Sequence, residues 1–139
     1  MVLVPAAEGN RLLLTDERVL GWLRDVHAGT RGTTSVCTGS LVLGAAALLE
    51  GRRATSHRLY LDALREFDAE PTGDRVVEDG KLLTPAGVSS GIDMALHLVA
   101  REAGKEVAQA VQLGIEYDPQ PPFDAGSPAH HRVQAGRTW

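Results

Sequence analysis

The chain has one cysteine, Cys37, among 139 residues, so it can close no disulfide within itself and cannot build a cysteine-rich zinc site. Any thiol chemistry rests on that residue. Basic charge is also in deficit, with 14 Lys and Arg against 18 Asp and Glu for a formal net charge of -4. Without a basic field, neither nucleic acid nor an anionic membrane surface is favoured as a partner, and a small-molecule substrate is expected instead. No apolar run approaches the roughly 18 residues of a membrane span, and Met1 leads into apolar residues and Pro5, not the basic start of a signal peptide. A cytoplasmic location is the expectation. What is present, 43% hydrophobic and 23% charged residues, is the composition of an ordinary globular domain, and the length suits one core.

Val2, Leu3 and Val4 before Pro5 form a short apolar run ended by a turn signal, which predicts a buried parallel strand. A helix follows from Thr15, which can cap it, with Asp16 and Glu17 in the first turn, Val19, Trp22, Leu23 and Val26 in helical period, and Gly29 as the stop. Thr33 to Cys37 reads as a strand, leading directly into an alanine-rich helix from Leu41 to Leu49 that Gly51 ends. A further helix is predicted over Leu59 to Phe67. Val76-Val77 and Leu82 to Thr84 flank Asp79-Gly80 like a hairpin. Val88, Ile92, Leu96 and Val99 mark one helix face, and Val107, Val111 and Ile115 another after Gly104. Loop residues follow from Asp118. The alternation of strands and helices predicts an α/β fold, a mostly parallel sheet with helices on both faces, in which ligands bind beyond the carboxyl ends of strands.

Cys37 falls at such an end. Where a strand turns sharply into a helix, the side chain at the turn is held exposed and faces the helix's free N–H groups and positive dipole end. Those groups favour the thiolate, so the expectation is a cysteine acidified below its free value of about 8.5 and activated as a nucleophile. Gly39 and Ser40 are small enough for the close strand-helix approach. The competing reading is a free cysteine used as a small core hydrophobe.

The segment T-S-V-C-T-G-S-L-V-L-G-A-A-A-L-L-E-G-R-R-A-T-S-H from Thr34 to His57 resembles the nucleophile-elbow segment of the ThiJ/PfpI superfamily, whose fold is flavodoxin-like and shared with glutamine amidotransferases. The resemblance continues from Arg75 to Ala100 and from Gln112 to Pro128, where E-Y-x-P-x-P-P-F is similar to the ending of isonitrile hydratases. It implies a ThiJ/PfpI-type domain over residues 1–128, the C-terminal portion of the family domain, followed by a flexible tail over 129–139. It also implies that Cys37 attacks the isonitrile carbon to form a thioimidate that water hydrolyses to an N-substituted formamide, without cofactor or metal. In this scheme the Thr38 backbone N–H and the turn at Ala6 and Ala7 surround the reacting group, and Gly39 belongs to the binding turn. His57 matches a histidine that orients or tunes the cysteine in several members.

Two departures qualify the match. The family places further βα units and an acidic residue ahead of the V-L-V-P strand, which leads to the expectation of a truncated or mis-started homologue with no identified general acid/base. The alternative to a fragment or a mis-started product is an obligate oligomer that covers the apolar surface left by the missing portion, and a homodimer is the expected assembly. The second departure is V-P-A-A at Val4 to Ala7 in place of V-P-G-G, which would strain alanine if the turn required a positive φ. The same superfamily domain also serves as the ligand-sensing part of AraC-type transcription regulators, and in redox or glyoxal stress proteins with a low-pKa cysteine. These are the alternative functions. Other signals carry less: His130-His131 lack further ligands at metal spacing, Asp93 and His97 stand at i, i+4 as a surface pair, and Gly87 to Gly91 around Ser89 and Ser90 form either an anion-binding helix start or a close-packing one.

Overall fold

In the computed structural model, which describes residues 1–127, the sheet is built in the order β1 (Val2–Val4), β2 (Thr33–Ser35), β6 (Leu82–Pro85), β5 (Val76–Asp79). His130, His131 and the segment 129–139 lie outside the described residues. β1, β2 and β6 run parallel, with Val2 opposite Thr33 and Thr33 opposite Leu82. β5 joins antiparallel, as the Asp79-Gly80 signal predicted, with Asp79 opposite Leu82 and Gly80 at φ 62°. A second, two-stranded parallel sheet pairs β3 (Arg53–Ala54) with β4 (Glu70–Pro71).

Alternation along β2 shows that helices cover both faces. Thr33 meets His27 of α2 (Glu17–Gly29) through a 2.9 Å hydrogen bond, while Thr34, pointing the opposite way, lies 3.4 Å from the sulfur of Met94 in α4 (Ser90–Ala103). The main apolar core lies on the first side, where Val2 and Val4 pack with Leu20 and Leu23 of α2, Val42 and Leu43 of α3 (Gly39–Ala45), and Leu64. The fold class read from the sequence therefore holds.

Several local expectations are corrected. The cap of α2 is Asp16, whose carboxylate accepts the Arg18 N–H at 3.0 Å, not Thr15. A short helix α1 (Asn10–Leu13) precedes it, four residues long and too brief to show a helical period in the sequence. α3 ends at Ala45, before Leu49, because Ala47 adopts φ 59° and the N–H groups of Ala47 and Leu48 turn back to the Gly44 and Leu43 carbonyls. That stop normally carries glycine, so an alanine conceals it.

The helix expected over Leu59 to Phe67 is two 3₁₀ turns, Arg58–Tyr60 and Asp62–Phe67. Leu61, Leu64 and Phe67 recur every three residues, which a three-residue turn aligns on one side. α4 buries Ser90 and Met94, whereas Val88 precedes the helix and is exposed, as is Ile92. On α5 (Lys105–Gly114) only Ala108 is buried, and Val107 and Val111, with Ile115 just beyond, face outward. The apolar stripes of these two helices are real, with Leu96 and Val99 half-buried, but the other described residues leave Ile92, Val107 and Val111 exposed.

Candidate functional site

Cys37 stands between β2 and α3 with φ 55°, in the left-handed region that costs a residue bearing a Cβ about 1–2 kcal/mol. The turn is held on every side. The Val36 N–H donates to the Val4 carbonyl of β1 and the Gly39 N–H to the Val36 carbonyl, each at 2.9 Å. The hydroxyls of Ser40 and Ser56 both donate to the Cys37 carbonyl, at 3.1 and 3.2 Å. A Cβ on Gly39 would sit 2.2 Å from the Val4 carbonyl oxygen, so only glycine lets α3 begin against the end of β1. The strand-turn-helix elbow read from the sequence is present, and Gly39 serves it as clearance.

The thiol differs from expectation. Cys37 is 6% exposed, and burial pushes its pKa above the usual value. The neighbouring N–H and hydroxyl of Thr38 favour the thiolate and offset only part of that effect. The expectation of an exposed, acidified cysteine is thus corrected. Desolvation disfavours the thiolate more than one peptide N–H, one hydroxyl and the start of a seven-residue helix favour it.

A cavity of about 700 Å³ opens beside the elbow. Thr38 and Leu41 form its elbow wall, Tyr60 closes one end, and the opposite wall is the loop after β1 with α1: Ala6, Ala7, Glu8, Asn10, Arg11 and Leu14. Neither Ala6 nor Ala7 has a positive φ, so the V-P-A-A turn is free of the strain that a glycine would have relieved. Their N–H groups have no hydrogen-bond partner among the described residues. The buried side chain of Asn10 donates to the Pro5 carbonyl at 3.0 Å and closes the loop.

Glu8 places a carboxylate on the cavity wall, where the sequence reading had identified no acid or base. No sequence signal marked it, since its position depends on how the loop returns.

The structure brings Ala6, Ala7 and Thr38 to one cavity, but His57 stands apart from them. Its Nδ1 accepts the Leu59 N–H at 3.3 Å, its ring faces Tyr60 with centroids 6.2 Å apart, and no hydrogen bond joins it to Cys37 among the described residues. A Cβ at Gly87 would lie 3.4 Å from the His57 ring, an ordinary contact distance, so Gly87 lies beside the ring without being required there. Burial, followed by the charge of Arg58, pulls the His57 pKa down and favours the neutral ring. The residue before it, Ser56, is the one that reaches Cys37. Sequence reasoning passed over Ser56 although it stands beside a singled-out histidine.

Asp93 and His97 do not pair with each other. Asp93 binds Arg75 and the Tyr117 hydroxyl, while His97 binds Glu78 at 2.7 Å. Among the described residues no cluster of three or more His, Cys, Asp or Glu could hold a metal, and no helix is long and apolar enough to cross a membrane.

The model of the DJ-1/PfpI family matches residues 1–101. The chain is 52% identical over 128 residues to the isonitrile hydratase of Pseudomonas putida, covering 92% of this chain and 56% of that protein. It is 37% identical over 92 residues to the HTH-type transcriptional regulator CdhR of Pseudomonas aeruginosa, covering 65% of this chain and 27% of the regulator. Among solved structures, a ThiJ/PfpI family protein from Pseudomonas syringae superposes with a TM-score of 0.87 at 43% identity, covering 92% of this chain and 54% of that one. The chain thus spans little more than half of the hydratase and of the Pseudomonas syringae protein, and less of the regulator.

Proposed function

The chain belongs to the DJ-1/PfpI family, and on that premise we propose that it carries the nucleophile half of a cysteine-dependent isonitrile hydratase. The observation that carries this reading is the 52% identity to the Pseudomonas putida enzyme over 128 residues, a span too long to leave out either Cys37 or the E-Y-D-P segment at Glu116.

In the proposed reaction the Cys37 sulfur adds to the terminal carbon of the isonitrile, a proton is delivered to that carbon, and a thioimidate results. Water then adds to the same carbon, and collapse of the adduct expels the thiol and leaves an N-substituted formamide. The net change is the addition of one water. The Thr38 N–H and the unpaired N–H groups at Ala6 and Ala7 are the donors offered to negative charge that develops at the reacting group. Glu8 is the acidic side chain lining the cavity and is proposed as the group that moves protons there, a role usually worth about 10²–10⁴-fold in rate. His57, which forms no hydrogen bond with Cys37 among the described residues, is given no proton-transfer step in this scheme. No cofactor or metal takes part in this scheme.

The test supplies a small alkyl isonitrile to the purified chain and measures isonitrile loss and formamide appearance. A second arm adds the part of the Pseudomonas putida enzyme that the match leaves uncovered. Formamide that appears in either arm and falls to background with Cys37→Ala supports the reading. Formamide production that survives Cys37→Ala overturns the nucleophile, and no formamide in either arm overturns the hydratase.

A second reading has its own support. A cysteine that is 6% exposed with its pKa raised suits a ligand-sensing site better than a reactive one, and the likeness to CdhR agrees with it. In that case small ligands occupy the cavity without turnover, and binding measured by calorimetry is unaffected by Cys37→Ala.

A further inference from the structure

The two hydroxyls on the Cys37 carbonyl have a consequence on the other side of the same peptide group. The bond between Cys37 and Thr38 is trans, so its C=O and N–H point in opposite directions. Ser40 and Ser56, exposed to 0% and 1%, anchor the oxygen on the interior side. The N–H therefore points away from Ser40 and Ser56, and its action on the thiol offsets part of the effect of burial. With the longer bond from the Ser40 N–H at 3.5 Å, the carbonyl accepts three hydrogen bonds, and a carbonyl so loaded polarises its own peptide, which makes that N–H a stronger donor.

Ser40 alone would be unremarkable evidence, since a helical serine commonly bonds a carbonyl three residues back. Ser56 is the informative residue. It arrives from a different segment, 19 residues further along the chain, and that segment is itself fixed by the Thr55 N–H donating to the Thr84 hydroxyl of β6 at 3.0 Å. The sheet therefore sets where the Ser56 hydroxyl stands, and Ser56 sets the peptide plane of a residue whose φ is 55°.

We propose that Ser56, seconded by Ser40, is a positioning residue that locks the Cys37–Thr38 peptide with its N–H aimed at negative charge on the Cys37 sulfur and on whatever group bonds to it. This rests on Cys37 being the reactive residue of the proposed site.

The experiment alkylates the intact chain with iodoacetamide across a range of pH and compares wild type with Ser56→Ala, Ser56→Thr and Ser40→Ala, alongside urea unfolding of each. Ser56→Ala is expected to react roughly three- to tenfold more slowly at neutral pH and to shift the rate profile toward higher pH. Ser56→Thr keeps the hydroxyl and restores both, and Ser40→Ala shifts both less and in the same direction. An unchanged or faster reaction of Ser56→Ala overturns the proposal, as does an equal shift in Ser56→Thr, whatever the unfolding midpoints show. Should Ser56→Ala fail to fold, Ser40→Ala decides by the same criterion. Because the readout contains no isonitrile, a Ser56 effect without formamide would reject the hydratase and keep the lock.

Discussion

The two walls of the cavity are built in opposite ways. The elbow wall, Thr38 and Leu41, is backed by interior structure: Cys37, Gly39, Ser40 and Ser56 are buried, and the Cys37 carbonyl accepts from the Ser40 N–H and hydroxyl and from the Ser56 hydroxyl. The facing wall, residues 5–14, is exposed at Ala6, Ala7, Glu8, Arg11 and Leu12 and hangs from β1, an edge strand of three residues with β2 as its neighbour. What fixes its shape is the Asn10 side chain on the Pro5 carbonyl and the backbone bonds from Asn10 to Ala7 and from Leu12 to Gly9. A wall set by core packing has one arrangement available. A wall set by a few hydrogen bonds and by Leu13 and Leu14 packed at the margin of the core opens locally at less cost and is where a site adapts to its ligand.

The strongest way to break this contrast is to strike the elbow where it has no slack. Gly39→Ala drives a Cβ to within 2.2 Å of the Val4 carbonyl oxygen, a backbone atom that cannot rotate away. Part of the sheet or the elbow must shift, and a loss of roughly 3–5 kcal/mol is expected in urea unfolding. A loss under about 1 kcal/mol would mean that the elbow yields as easily as the loop.

The facing wall should respond less and more locally. Asn10→Ala removes the donor to the Pro5 carbonyl, with an expected loss of about 1–2 kcal/mol. Hydrogen exchange should quicken over residues 5–14 and stay unchanged over residues 33–45. Faster exchange across both segments would show that the two walls are one cooperative unit.

The same contrast explains what could be read from the sequence. β1, β2, the hairpin and the elbow announce themselves through runs of apolar or β-branched residues and through glycines with steric duties, Gly39 and Gly80 above all. Local pattern was enough for those. It failed where the deciding partner is far along the chain or of an unexpected type. The Ser56 contact to Cys37 spans 19 residues, and the Cys37 exposure depends on everything packed over it. Glu8 lines the cavity from a loop that the Asn10 side chain closes, a placement no local pattern announces. The stripes on α4 and α5 were correctly seen as apolar, but a periodicity cannot say whether the surface that would bury it belongs to the same chain.

Acid should weaken the elbow side in a defined window. Burial holds the pKa of His57 down, and burial with the charges of Lys81 and Arg52 does the same for His27. A folded-state pKa below the unfolded value of 6.5 means that the unfolded chain takes up the proton first as pH falls. Stability is therefore complete above that value and declines below it until the folded pKa is passed. Urea midpoints should fall from pH 7 toward pH 5, and His57→Gln should flatten part of that slope. A midpoint that rises over this interval would contradict the burial of both rings. Cys37 supplies the complementary signal: with its thiol raised, alkylation of the wild-type chain should still be climbing at pH 9.

The smallest expected effect separates strain that serves the site from strain that does not. α3 is flanked by two non-glycine residues in the left-handed region, Cys37 at φ 55° before it and Ala47 at φ 59° after it. Cys37 is held there by Gly39, Ser40 and Ser56. Ala47 is exposed and has only the backbone turn that ends the helix. Ala47→Gly relieves the steric cost at a position that already has the geometry glycine prefers, and should stabilise the chain by about 0.5–1 kcal/mol after the added entropy of the unfolded glycine is counted. Because the change lies at the far end of α3, the alkylation profile of Cys37 should be untouched. If Ala47→Gly stabilises the fold but shifts that profile, the helix transmits strain between its ends. The elbow would then owe its geometry to α3 as a whole and not to the contacts around Cys37 alone.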